Sequence, residues 1–394
     1  MRGFIRSCKA IKEAVGMENE FKELLAVAEN PGEYVSDWKT RTGGKVIGSL
    51  PIYVPEEIIH ATGALPVKLW GGKTELERVN THLQSFACSI VRAVLEYWLK
   101  GTYNIVDGFV FPSTCDHIQN TSDIFAYNFP EKSKFDLVYP ENRKSKAAKG
   151  YLLNLLKDFK DWTEQVAGEV IDSEKLSASI KIFNIHRELM ADLRRLRSQK
   201  PASITGREMA NLVKASFFLP KEKYNRKMQE ILPWLKKREV KGEPRARIVL
   251  TGIAAEPEEI LDIMDNFGLA VVGDDLALGE RVFRVQANES LEPLESLAQR
   301  HFSLGPCSTI FDPLKTRGTY ILKLVQETKA DGVVFINMKF CEREEFDYPI
   351  LKKEMEQAGI PLLFIEVEQQ MSSFSQISTR LQAFLEMMVQ GESK

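Results

Sequence analysis

Apolar residues fall along this chain in two kinds of run. Short continuous blocks, Phe109-Val110-Phe111 and Val333-Val334-Phe335, each follow an Asp-Gly pair (Asp107-Gly108, Asp331-Gly332) and lead to a cysteine, Cys115 or Cys341. An unbroken apolar run bounded by a turn signal predicts a strand buried on both faces. Longer stretches carry apolar residues three and four apart and predict amphipathic helices. Phe21, Leu24, Leu25 and Val27 mark one within 1–45, interrupted at Asn30-Pro31-Gly32. Ile90, Val91, Val94, Leu95, Trp98 and Leu99 mark another over 85–100, with Cys88 in its first turn.

Taken in order, Gly43-Gly44 opens a strand at 46–50, and Pro55-Glu56-Glu57-Ile58 starts a helix that Gly63 closes. A strand at 65–70, the 85–100 helix, the strand leading to Cys115, a further helix and a strand at 135–139 follow. Residues 145–236 read as long charged helices broken at Pro201, Ser203 and Pro220. After the charged stretch 236–247 the pattern restarts. A strand at 247–252 precedes Pro257-Glu258-Glu259-Ile260, Gly268 and a strand at 270–272. A helix at 318–328 leads to the strand before Cys341, and helix 350–358, strand 362–367 and helix 376–388 complete it. The repeated order predicts an α/β protein of two related doubly wound, Rossmann-like halves with an added helical layer. Four regions are expected: an N-terminal helical segment (1–45), a first α/β domain with Cys88 and Cys115 (46–144), a helical bridge (145–240) and a second α/β domain with Cys341 (241–394).

The net charge of −2 gives no general attraction to nucleic acid or an anionic membrane. No apolar run approaches the roughly 18–20 residues that span a bilayer, and the polar N-terminal stretch shows no signal peptide. A cytoplasmic location is expected. The five cysteines, Cys8, Cys88, Cys115, Cys307 and Cys341, are odd in number and contain no CxxC pair. That argues against a disulfide framework, a zinc ribbon and a ferredoxin-type run. Buried inert thiols and a site assembled from distant cysteines remain as alternatives.

Ligands in open α/β sheets sit outside the carboxyl ends of the strands, where Cys115 and Cys341 fall. Cys88 starts the helix before the first of these strands, where the positive helix end favours a thiolate. If the halves face each other, the three thiols converge, and soft thiolates select zinc or iron–sulfur clusters. Cys8 has no partner nearby. Cys307, on a loop after an apparent strand end, has no counterpart in the first half and is not expected to be a ligand. Glu57 and His60 stand one helical turn apart and share a face, which suits a catalytic proton relay. His117, beside Asp116, is a further candidate, and Ser113, Thr114 and Asn337 are placed to donate hydrogen bonds near the sulfurs.

PIYVPEEIIHATGALPV (51–67), FACSIVRAVLEYWL (86–99), DGFVFPSTCDHIQNTS (107–122) and DGVVFINMKFCEREEFDYPILKKEMEQAGIPLLFIEVE (331–368) resemble the 2-hydroxyacyl-CoA dehydratase / benzoyl-CoA reductase family across nearly the whole chain. The first and third blocks look most like the smaller cluster-binding subunit of ATP-dependent benzoyl-CoA reductases. The resemblance implies a 4Fe-4S cluster held by Cys88, Cys115 and Cys341. Some dehydratase subunits in the family add a cysteine just before the Val-Pro-Glu-Glu block, where this chain has Ser49-Leu50, so an open iron is expected. Double-cubane relatives need more cysteines than this chain has. The resemblance also implies a homologous second subunit (or a second copy of this chain), a separate ATP-hydrolysing iron–sulfur activator and an acyl-CoA substrate. This chain lacks a GxxxxGK[ST] phosphate loop of its own. The expected activity is low-potential, dearomatising benzoyl-CoA-type reduction. Its alternatives are 2-hydroxyacyl-CoA dehydration by a ketyl-radical route, a non-catalytic electron-relay subunit, and an α/β small-molecule binding protein with inert cysteines.

Overall fold

The computed structural model describes residues 2–239 and 242–391, with the side chains of 16–239 and 242–390. The chain opens with helices α1 (Arg2–Glu29) and α2 (Pro31–Thr42). The first half then runs β1 (Val46–Ser49), α3 (Glu56–Ala61), β2 (Leu65–Lys68), α4 (Ser89–Leu99), β3 (Gly108–Pro112), α5 (Asp116–Asn128) and β4 (Ser133–Leu137). Helices α6 (Ala148–Ala167), α7 (Ser173–Gln199), α8 (Gly206–Ser216) and α9 (Lys221–Lys237) follow. The second half runs β5 (Ala246–Gly252), α10 (Glu259–Phe267), β6 (Leu269–Leu276), α11 (Glu280–Phe283), α12 (Pro293–Ser303), α13 (Arg317–Thr328), β7 (Gly332–Met338), α14 (Glu342–Gln357), β8 (Leu362–Val367) and α15 (Ser375–Gly391). The strands form two parallel four-stranded sheets, ordered β2-β1-β3-β4 and β6-β5-β7-β8. The two Rossmann-like halves and the helical addition are therefore present.

The Asp-Gly repeat has the same physical role in each half. The Asp107 carboxylate accepts from the Val46 amide at 2.8 Å, and that of Asp331 accepts from the Arg247 amide at 2.7 Å. Each aspartate thus ties the entry of its strand to the neighbouring one. The glycine that follows lets a helix close on the sheet. A Cβ on Gly108 would stand 3.0 Å from Trp162, and one on Gly332 would stand 2.9 Å from Phe384. Strands β1, β2, β3 and β7 are buried throughout, as parallel strands covered on both faces must be.

Helix α7 bridges the halves, packing on α3 of the first and on β6, α11 and α12 of the second. One hydrophobic cluster runs from Phe21 through Val94, Leu193 and Ile248 to Leu381, so the halves share a core. Several boundaries differ from the sequence reading. Helix α14 begins at Glu342 rather than near 350 and carries Pro349 inside it; the proline looks like a start signal but lies within the helix, where it removes a backbone donor. Cys307 follows helix α12 and the extended Leu304, not a strand. Cys8 lies outside the described side chains. Among the described residues, no helix is long and apolar enough to cross a membrane.

Candidate metal centre

Three cysteines cap three helices. Cys88, Cys115 and Cys341 are the residues immediately before α4, α5 and α14. Cys88 therefore sits one position outside the helix in which the sequence pattern put it. Cys115 and Cys341 each follow a central strand by a short turn. That before Cys341 is tight: its amide bonds to the Met338 carbonyl at 2.8 Å, and Phe340 takes φ +64°. A bulky residue rarely adopts this conformation. The Glu345 carboxylate holds it by accepting from the Phe340 amide at 3.1 Å.

The halves meet beside these thiols. Ser89, next to Cys88, donates to the Met338 sulfur at the end of β7 across 2.8 Å, and accepts from the Gln369 amide at 3.1 Å. Cys88 belongs to the shared core, and Cys115 and Cys341 pack against it. All three thiols are free, and each resists ionisation. Burial, with Cys115 nearby, pushes Cys88 up to about 12. Burial raises Cys115, and burial with the charges of Cys88, Glu344 and Cys115 raises Cys341 far above the usual thiol range. Backbone amides of Ile90 and Val91, of Ile118 and His117, and of Glu344 oppose this from the three helix starts. The helix end at Cys88 thus pulls in the expected direction, but burial outweighs it.

This donor set fits an iron–sulfur cluster. Three soft sulfurs share one buried place, helix amides face them, and an enclosed metal charge would remove the penalty on their ionisation. Among the described residues, no group of three or more His, Cys, Asp or Glu side chains is arranged around a single ion. Ligands of a cluster each take a different iron and stand further apart than ligands of one ion.

Other expected residues have different partners. Glu57 and His60 do share α3, but both face the helical layer. Glu57 is buried in an ion pair with Arg187. Burial alone would raise its carboxyl, but Arg187 and Arg300 hold it below the usual range. His60 Nδ1 is 2.9 Å from the Ser179 hydroxyl, and Nε2 is 3.1 Å from Glu222. Neither residue is hydrogen-bonded to the segments that carry the thiols. Ser113 accepts from Gln119, Thr114 donates to the Pro51 carbonyl at 3.5 Å, and Asn337 donates to Glu345 at 3.3 Å. His117 contributes a backbone amide facing Cys115.

Cys307 differs from the other three thiols. Its sulfur accepts from Arg281 at 3.3 Å and lies 3.2 Å from the Thr309 hydroxyl. Burial would raise this thiol, but Arg281, Thr309 and Tyr53 together lower it. Sequence reasoning missed Arg281 and Ser89: an arginine in a charged segment reads as surface, and a serine after a cysteine carries no signal. A cavity of about 580 Å³ is lined by Trp70, Tyr97, Tyr103, Phe218, Glu256 and Gln369 among others, and by none of the three thiols.

A family model described as 2-hydroxyglutaryl-CoA dehydratase, D-component, matches residues 51–388. The chain is 36% identical over 368 residues to the (R)-phenyllactyl-CoA dehydratase beta subunit of Clostridium sporogenes, covering 93% of this chain and 97% of that one. It is likewise 36% identical over 375 residues to the lactoyl-CoA dehydratase subunit beta of Anaerotignum propionicum, covering 94% and 99%. A benzoyl-CoA reductase subunit of Thauera aromatica is 30% identical over 325 residues, covering 81% and 84%.

Proposed function

This chain belongs to the 2-hydroxyglutaryl-CoA dehydratase D-component family, and from that premise we propose that it is the iron–sulfur, beta-type subunit of a 2-hydroxyacyl-CoA dehydratase. The observation that carries the reading is that three free cysteines, each immediately before a helix, lie close enough to influence one another electrostatically. The expectation of a benzoyl-CoA-type reductase gives way here. The dehydratase beta subunits match at higher identity over more of the chain than the reductase subunit does.

In this reading Cys88, Cys115 and Cys341 hold a 4Fe-4S cluster, which supplies a low-potential electron and an iron without a protein thiolate. The chain's own groups do the rest. The amides of Ile90, Val91, Ile118, His117 and Glu344 offset negative charge at the sulfurs. Burial keeps water from the thiolates and strengthens those dipoles. Ser89 and Met338 hold the cage together across the two halves. Glu57 and His60 are given no proton-transfer role in this reading, because their side-chain hydrogen-bond partners, Arg187, Ser179 and Glu222, lie in the helical layer. A second subunit binds beside this one, and a separate ATP-hydrolysing activator delivers the electron. The four free thiols among the described side chains suit a reducing cytoplasm.

A second reading, an electron relay whose partner binds the acyl-CoA, is favoured by one observation: none of the three thiols lines the 580 Å³ cavity. The test is anaerobic reconstitution with the second subunit, activator and ATP. Dehydration returns its electron, so catalytic reductant converts a 2-hydroxyacyl-CoA to the enoyl-CoA. Stoichiometric consumption of reductant with benzoyl-CoA, and no water elimination, would overturn the dehydratase reading. Photo-crosslinking of an acyl-CoA probe to the second subunit alone would select the relay.

A further inference from the structure

Behind Cys341 stands a network of buried charge. The Asp275 carboxylate, at the end of β6, accepts from Arg281 at 2.9 Å, Arg284 at 2.7 Å and Arg317 at 2.9 Å. Glu344, in the first turn of α14, accepts from Arg281 at 3.2 Å and from the Ser308 hydroxyl at 2.6 Å, and its other carboxylate oxygen forms an ion pair with Arg317 at 2.8 Å. Asp347 takes the remaining Arg317 nitrogen at 3.2 Å and Lys315 at 3.0 Å. The side chains of Asp275, Arg281 and Glu344 are completely buried. The backbone amide of Glu344 bonds to the Cys341 carbonyl at 2.9 Å. Its carboxylate is therefore one turn behind that cysteine and fixed there.

Stability does not explain this arrangement. Replacing a buried ion network by apolar side chains is often neutral or stabilising, because desolvation cancels much of the attraction. A set of rigid charges next to a redox group does have an effect that apolar residues cannot supply. Charge and hydrogen bonds around a cluster set its potential. A nearby carboxylate opposes the gain of an electron, and a nearby guanidinium favours it.

We propose that Glu344 and Arg317 are opposed potential-setting residues of this subunit, the carboxylate driving the midpoint of a cluster at Cys341 more negative and the guanidinium limiting that shift. The inference rests on the cluster reading above. Neither side chain is hydrogen-bonded to the sulfur, so both act through the charge they hold behind it. The Ser308 hydroxyl belongs to the same device, since its donation withdraws charge from Glu344.

The experiment is an EPR-monitored redox titration of the anaerobically reconstituted full chain, with iron content and a thermal melt as controls. Glu344→Gln moves the midpoint positive and Arg317→Gln moves it negative. The double variant returns toward wild type, since one charge of each sign is gone. Ser308→Ala removes no charge and spares every ion pair, so it serves if a single charge variant does not fold; its midpoint moves negative. Shifts of the same sign in Glu344→Gln and Arg317→Gln overturn the proposal. So does an unmoved or positive midpoint in folded Ser308→Ala. Wild type that takes up no iron overturns the cluster reading instead.

Discussion

Helix α4 of the first half and helix α13 of the second hold matching places, each leading into the strand beside the centre of its sheet. Cys88 stands immediately before the first, and Arg317 is the first residue of the second. The Pro-Glu-Glu helix starts diverge as well. Glu56 and Glu57 are buried against Lys68 and Arg187, whereas Glu258 and Glu259 pair with Arg207, Lys214 and Lys73 nearer the surface. Topology thus assigns the same corners in both halves, and the side chain placed there decides whether a corner binds or braces. The first half uses two corners for thiols; the second uses one and fills the other with an ion network.

The largest test of that contrast removes a thiol. Cys88→Ser or Cys341→Ser drops the iron of the reconstituted chain to background, while Cys307→Ser, in the bracing network, keeps it. An iron assay decides, and full iron in Cys88→Ser would sink the assignment. Next comes a break in each half's buried charge. Arg281→Met leaves Asp275 short of a partner and costs about 3–5 kcal/mol in urea denaturation. Glu57→Gln strands Arg187 and lowers stability in the same sense, but leaves the midpoint potential where it was, because its ion pair faces the helical layer.

A smaller effect follows from pH. Burial, with Arg143 and Arg300 nearby, pushes His301 down to about 3, and burial beside Lys221 pushes His186 far down. Both stay neutral in the fold, while an unfolded histidine titrates near about 6.5. The unfolded chain then binds protons first as pH falls. Stability is full above pH about 6.5 and declines below it by up to about 1.4 kcal/mol per pH unit for each histidine, until the folded value is reached. Glu56, which burial would raise but Lys68 and Lys221 draw down to about 2, adds its loss only below pH about 4.3. His301→Phe, which keeps the stack on Tyr139, gives a shallower fall in stability between pH 7 and 4.5. An unchanged slope would remove His301 from the account. The least effect belongs to Glu222→Gln. The His60 contact is half exposed, so its loss changes stability by about 0.5 kcal/mol or less and leaves iron content alone.

Much of this was legible in the sequence because burial on both faces leaves a plain mark. The runs before Cys115 and Cys341 could be placed as strands, and the Asp-Gly repeat aligned the two halves before any contact was known. Spacing carried less. Glu57 and His60 do share a helical face, but spacing cannot tell whether that face meets the site or α7. The ion network was hidden because its members, Asp275, Arg281, Arg317, Glu344 and Asp347, are scattered along the chain and each reads as solvated surface. Pro349 concealed the true start of α14, and with it the fact that Cys341 caps a helix.

The bridging of both halves by α7 over one common core has a mechanical result. The two halves around the three cysteines pack on one shared core rather than as two separate lids. On the proposed cluster reading, an arriving electron would meet dipoles and charges already pointed inward, so little material would have to shift. A stiff enclosure of this kind suits rapid, repeated charging and discharging with small loss at each pass.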